Sequence, residues 1–172
     1  MTKRTPTEAG QRVATFFERT APILFADFVE SGALPGGDDA RAQARDEWDC
    51  YALFGCVRGI VAAGGFARRT ADAIDALHGV VFAAWDAAAL GGMDTVKRAL
   101  LGRRYEEYET IAQAGGAAGA ADVATRLGAE AARRMIGESP PVDVIEILGS
   151  MHESLAESVV SLLNGEGEVP HA

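Results

Sequence analysis

Apolar positions recur at helical spacing in several separate stretches of this chain, and one of them, Trp48 to Phe66 (WDCYALFGCVRGIVAAGGF), is apolar nearly all round. Cys50, Leu53, Phe54, Val57, Ile60 and Val61 make a bulky stripe, with Trp48, Tyr51, Ala52, Gly55, Gly59 and Ala62 as a smaller-grained stripe beside it. A helix without a polar face belongs at the centre of a bundle or in a lipid bilayer. Gly55 and Gly59 would let a neighbouring helix approach backbone to backbone. The pattern predicts a central helix with the others wrapped around it.

The other stretches read as helices with clear punctuation. Thr5-Pro6-Thr7-Glu8 matches a capping box with proline at the first helical position. Val13, Phe16, Phe17, Leu24 and Phe28 follow at helical intervals, and Pro22 among them predicts a kink or break near Thr20 and Ala21. Ser31-Gly32 ends this helix, and Asp38 and Asp39 are candidate caps for the central one, which Gly64 and Gly65 stop. A third helix, from about Thr70 to about Leu90, has Ile74, Leu77, His78, Val81, Trp85 and Ala88 as its core stripe. Gly91-Gly92 ends it and Asp94 caps a fourth, so short a turn that the two are predicted to lie antiparallel as neighbours.

The fourth helix carries Leu101, Tyr105, Tyr108 and Ala112 on one stripe. Its cations Lys97, Arg98, Arg103 and Arg104 precede its acids Glu106, Glu107 and Glu109, an order that opposes the helix dipole at both ends. Those charges are therefore expected to pair with other helices or another chain. Gly115 to Gly119 is a linker without the strand that a dinucleotide fingerprint needs. A fifth helix, Ala121 to Ile136, turns Val123, Leu127, Ala131 and Met135 inward, and Gly137 closes it. The last starts at Ser139, and its Leu148, Leu155 and Leu162 stand in heptad register, which predicts a coiled-coil-like seam to a second copy. The tail from Asn164 to Ala172 is expected to fray. The reading is all-α: one domain over residues 1–172, a single bundle of about six helices around the central apolar one.

Composition narrows the function. Apolar residues are 48% of the chain, enough for a substantial core, while a net charge of −9 disfavours a nucleic-acid or anionic membrane partner. Cys50 to Phe66 and Ala73 to Leu90 are short for membrane spans of about 20 residues and carry ionisable groups near their middles. No apolar run follows the basic residues of the N-terminus. Cys50 and Cys56 fall on different sides of one helix, so buried thiols in a reducing compartment are expected. These features predict a soluble, cytoplasmic protein.

Two chemistries are legible. Acidic pairs three residues apart put carboxylates on one helix face, and the hairpin turn would set Asp72, Asp75 and His78 opposite Glu106 and Glu109. That cluster could hold a divalent metal in an all-α enzyme, nucleotide hydrolase-like or a di-metal bundle, although no Glu-x-x-His motif is present. Alternatively, Trp48, Tyr51, Trp85, Tyr105 and Tyr108 could line a small apolar pocket. Arg58 needs a carboxylate partner, with Asp86 or Asp75 the candidates, and His78 on an apolar stripe needs a hydrogen bond. No serine or cysteine has the surroundings of a nucleophile, and no helix-turn-helix supports a DNA-bound regulator. The leading expectation is a non-catalytic binding or assembly module without a cofactor. It would form a homodimer and contact a protein partner or small apolar ligand through Arg58, His78, Trp85, Tyr105 and Tyr108. The metal-dependent enzyme is the alternative.

Overall fold

In the computed structural model, residues 5–34, 36–89, 92–115 and 119–165 are described. They form an all-helical bundle of six elements: α1 (Pro6–Glu30), α2 (Asp38–Gly64), α3 (Arg68–Ala88), α4 (Thr95–Gly115), α5 (Ala120–Ile136) and α6 (Val142–Asn164). None of them is long and apolar enough to cross a membrane. Parts of the turns predicted at Leu34–Gly37, Gly91–Gly92 and Gly115–Gly119, and most of the tail, lie outside the described residues.

Local signals set most boundaries. The Thr5 hydroxyl accepts from the Glu8 N–H (3.2 Å) and the Thr5 N–H donates to the Glu8 carboxylate (2.7 Å), so the capping box is closed. The helix runs on through Pro22 without the expected break. The carbonyl that proline leaves without its helical partner belongs to Glu18, which faces solvent and can be hydrated. Gly37 is the N-cap of α2, so Asp38 and Asp39 occupy its first turn instead of capping it. Asp94 does cap α4, accepting from the Lys97 N–H at 2.9 Å.

α2 is central. Every residue from Glu47 to Cys56 is buried, which a helix with one apolar face cannot achieve, and α2 packs against each of the other five helices. Its last turn leaves the core: Ala62 to Gly64 are exposed, and Phe66 beyond them is fully exposed. The Trp48 indole N–H donates to the Ala21 carbonyl (2.8 Å) and the Tyr51 hydroxyl to the Leu148 carbonyl (3.0 Å), fastening α2 to α1 and α6.

α6 runs alongside α2 in the same direction. A Cβ at Gly59 would stand 2.6 Å from the Ala156 carbonyl oxygen, a backbone atom that cannot swing away. A second close crossing joins α5 and α6, where a Cβ at Gly128 would come within 2.5 Å of the Ile145 carbonyl. Gly59→Ala is therefore expected to destabilise by about 1–2 kcal/mol, overpacking of about 1–3 outweighing a helix-propensity gain of up to about 1. Gly79→Ala, in α3 with nothing within 4 Å of its Cβ position, is expected to stabilise by about 0.5–1 kcal/mol. Chemical denaturation of the two variants measures the contrast.

The leucine seam of α6 is consumed inside the chain. Leu148, Leu155 and Leu162 are at most 4% exposed and belong to the single core, with α2 and α5 packed against their helix. The heptad pattern thus reports an internal stripe and not a surface for a second copy.

Candidate functional site

α3 packs mainly on α1, where Gly10 brings the two backbones together against Ala73 and Leu77. α4 packs on α2 and α5. α3 and α4 lie antiparallel as neighbours, as expected, but they meet through long side chains and not backbone to backbone. His78 Nε2 and the Tyr105 hydroxyl share a hydrogen bond of 3.0 Å between the two helices. His78 lies flat against Phe82 (5.5 Å between ring centres, 15° between planes), and Phe82 meets Trp85 at 5.7 Å. All four rings are half-buried and form one aromatic cluster between α3 and α4.

Two cations cover its rim. The Arg98 guanidinium stands 4.6 Å over the Phe82 ring and the Lys97 ammonium 4.7 Å over Trp85. Both are neutralised by carboxylates. Arg98 pairs with Asp86, and Lys97 pairs with Asp49 (2.7 Å) and Asp46 (3.0 Å). Burial works against the Lys97 charge, but these two acids outweigh it and hold the pKa above its usual value. Asp86 also accepts from the Asp94 N–H (2.8 Å), tying the end of α3 to the cap of α4.

The aromatic contacts continue inward. Tyr105 meets Phe54 edge-on at 5.4 Å, and Phe54 touches Tyr108 (5.4 Å) and His152 (5.9 Å). Tyr51 lies against Tyr108, His152 and Trp48, and Trp48 against Phe25, so one unbroken series of rings links α3 to α1 through the core. Burial keeps these groups uncharged. It raises the Tyr105 and Tyr108 phenols well above their usual range and pushes the Cys56 thiol up to about 12. Burial lowers the pKa of His78, with Asp75 opposing it. At neutral pH the cluster therefore contains a neutral imidazole, a phenol and apolar rings. That set can hold a ligand by stacking and hydrogen bonding.

Of the residues singled out by sequence, His78, Trp85 and Tyr105 converge here. Tyr108 lies deeper and is fully buried. Arg58 is elsewhere: it pairs with Glu153 of α6 (2.8 Å), not with Asp75 or Asp86 of α3, because its side of α2 faces α6. The pair is a quarter to a third exposed, which reduces its contribution to about 0–1 kcal/mol. It stands in a shallow groove with Ala62, Ala156 and Val160. Asp72, Asp75, Glu106 and Glu109 are all exposed. Among the described residues no three His, Cys, Asp or Glu side chains gather where a metal ion could sit.

Sequence reading missed Phe82, Lys97 and Arg98 as parts of the site. The signal was present in the charge order of α4, three of whose cations, Lys97, Arg98 and Arg104, pair with other helices. Arg104 makes a two-pronged bond to Glu47 of α2 (2.6 and 2.7 Å) and also holds Glu107, which in turn bonds Arg134 of α5. Phe82 is one turn beyond His78 on the same helix face, a spacing that makes them neighbours. Comparisons with protein-family models, with curated proteins and with solved structures find nothing that matches this chain.

Proposed function

We propose that the chain is a non-catalytic helical binding module that takes a small apolar, aromatic ligand at the aromatic cluster between α3 and α4. The observation that carries this reading is the aromatic cluster: four half-buried rings, His78, Phe82, Trp85 and Tyr105, standing between helices that do not pack backbone to backbone. Such a junction can widen by rotating side chains, without breaking a close helix contact. The ring faces supply stacking area, and the His78–Tyr105 pair supplies the few polar atoms that fix orientation. Lys97 and Arg98 at the rim are already matched by Asp46, Asp49 and Asp86, so selectivity comes from the rings and not from a free charge. The protonated Tyr105 phenol and the neutral His78 support holding over reaction. With the leucine seam internal, the proposal rests on a ligand and not on a homodimer.

The probe is 8-anilinonaphthalene-1-sulfonate, whose aromatic rings match the ring faces of the site. It should bind saturably and take up excitation energy from Trp85, the less buried of the two tryptophans. Phe82→Ala should weaken its binding at least about tenfold, about 1.4 kcal/mol, and Trp85→Phe should remove most of the energy transfer. Binding unchanged in folded Phe82→Ala protein would refute this assignment of the site.

A further inference from the structure

His152 and Tyr108 are fully buried, yet both ring nitrogens of His152 and the Tyr108 hydroxyl have no hydrogen-bond partner among the described residues. The two side chains come from different helices, α6 and α4, and rest against the same pair of rings on α2. Tyr51 lies 4.7 Å from His152 and 5.6 Å from Tyr108, and Phe54 lies 5.9 and 5.4 Å from them. The third polar ring is accounted for, since the Tyr51 hydroxyl donates to the Leu148 carbonyl. Gly55 faces the imidazole, and a Cβ there would stand 3.3 Å from Nδ1, so the absence of a side chain lets the ring sit against α2. Buried polar atoms in folded proteins are paired with protein or with an ordered guest, because leaving them bare is costly.

We propose that His152 and Tyr108 are the two polar walls of an internal site between α2, α4 and α6 that holds a small, uncharged hydrogen-bonding guest. The chemistry of the walls specifies it. A neutral imidazole offers one donor and one acceptor, and a phenol offers one of each, so the guest must do both. It must also be neutral. The nearest formal charges are matched among themselves, Arg58 with Glu153 and Arg104 with Glu47, leaving none to balance a buried ion. Water satisfies these conditions, as does a short alcohol or a primary amide. The site goes beyond the aromatic cluster between α3 and α4 and does not depend on it.

Tyr108→Phe tests the site, since it deletes the hydroxyl, keeps the ring and leaves the packing intact. With a guest bonded to that hydroxyl, the variant loses a satisfied hydrogen bond and melts about 3 °C below the wild-type chain. Without one, it sheds an unpaired polar atom and melts at or above the wild-type temperature, which would overturn the proposal. Two further measurements on the wild-type chain name the guest. Long-lived water would give nuclear Overhauser contacts to the Tyr108 and His152 ring protons. An alcohol or amide would instead appear by mass spectrometry in an extract of the denatured protein.

Discussion

Replacing Arg104 with methionine is expected to cost about 3–5 kcal/mol of folding stability, among the largest losses of any single polar substitution in this chain. Arg104 and Glu47 are 8% and 5% exposed, and two parallel hydrogen bonds join them. The bonds to Glu47 hold the guanidinium pKa far above its usual range against the opposing effect of burial. Methionine keeps much of the aliphatic volume but leaves the Glu47 carboxylate in the core without its counter-charge. Removing that charge as well should restore most of the loss, so Arg104→Met with Glu47→Leu should couple strongly in a double-mutant cycle. Urea denaturation of the four proteins checks this. A single substitution that costs less than about 1 kcal/mol would place the pair in water, as at exposed ion pairs.

Acid should weaken the fold already between pH 6.5 and about pH 5. Burial, with Arg58 adding to it, pushes the His152 pKa down to about 3 from an ordinary value of 6.5. The sign follows from linkage: the unfolded chain binds a proton near pH 6.5 that the folded chain refuses until about pH 3. Stability is therefore complete above about pH 6.5 and falls as the pH drops, by about 2 kcal/mol at pH 5. His78, also lowered by burial, acts in the same direction. Glu130, whose pKa its bonds to Arg133 and Arg134 lower against the opposing effect of burial, is lost only at still lower pH. His152→Leu should remove most of the slope between pH 6.5 and 5. Melting curves across that range make the comparison, and an unchanged slope would mean that His152 is not the group responsible.

The sequence made the helices legible because helix periodicity, caps and stops are local. The Thr5–Glu8 box, the Asp94 cap and the inward stripe Val123, Leu127, Ala131 and Met135 all appear where the pattern put them. The central place of α2 was legible for the same reason, since a helix apolar on every side has only one place in a bundle. What local pattern could not fix was which helix a given face meets. The stripe of Leu148, Leu155 and Leu162 fits an internal core as well as it fits a second copy, because both environments are apolar. The partner of Arg58 depends on which neighbour its side of α2 faces, and that is a property of the tertiary arrangement. The α3–α4 turn did make the two helices neighbours, but it did not set how closely they pack: α3 closes on α1 at Gly10, and bulky His78, Phe82 and Trp85 hold the backbone of α4 off. The aromatic cluster results from that spacing, which is why His78, Trp85 and Tyr105 could be named from the sequence while Phe82 and the arrangement could not.

The most direct test of ligand binding at the aromatic cluster is a heteronuclear NMR titration of the full chain with 8-anilinonaphthalene-1-sulfonate. Shifts should concentrate on His78, Phe82, Trp85, Lys97, Arg98 and Tyr105, with the indole N–H of Trp85 moving and that of buried Trp48 nearly still. Shifts confined to the groove at Arg58, Ala62 and Val160, or spread evenly over the bundle, would contradict it.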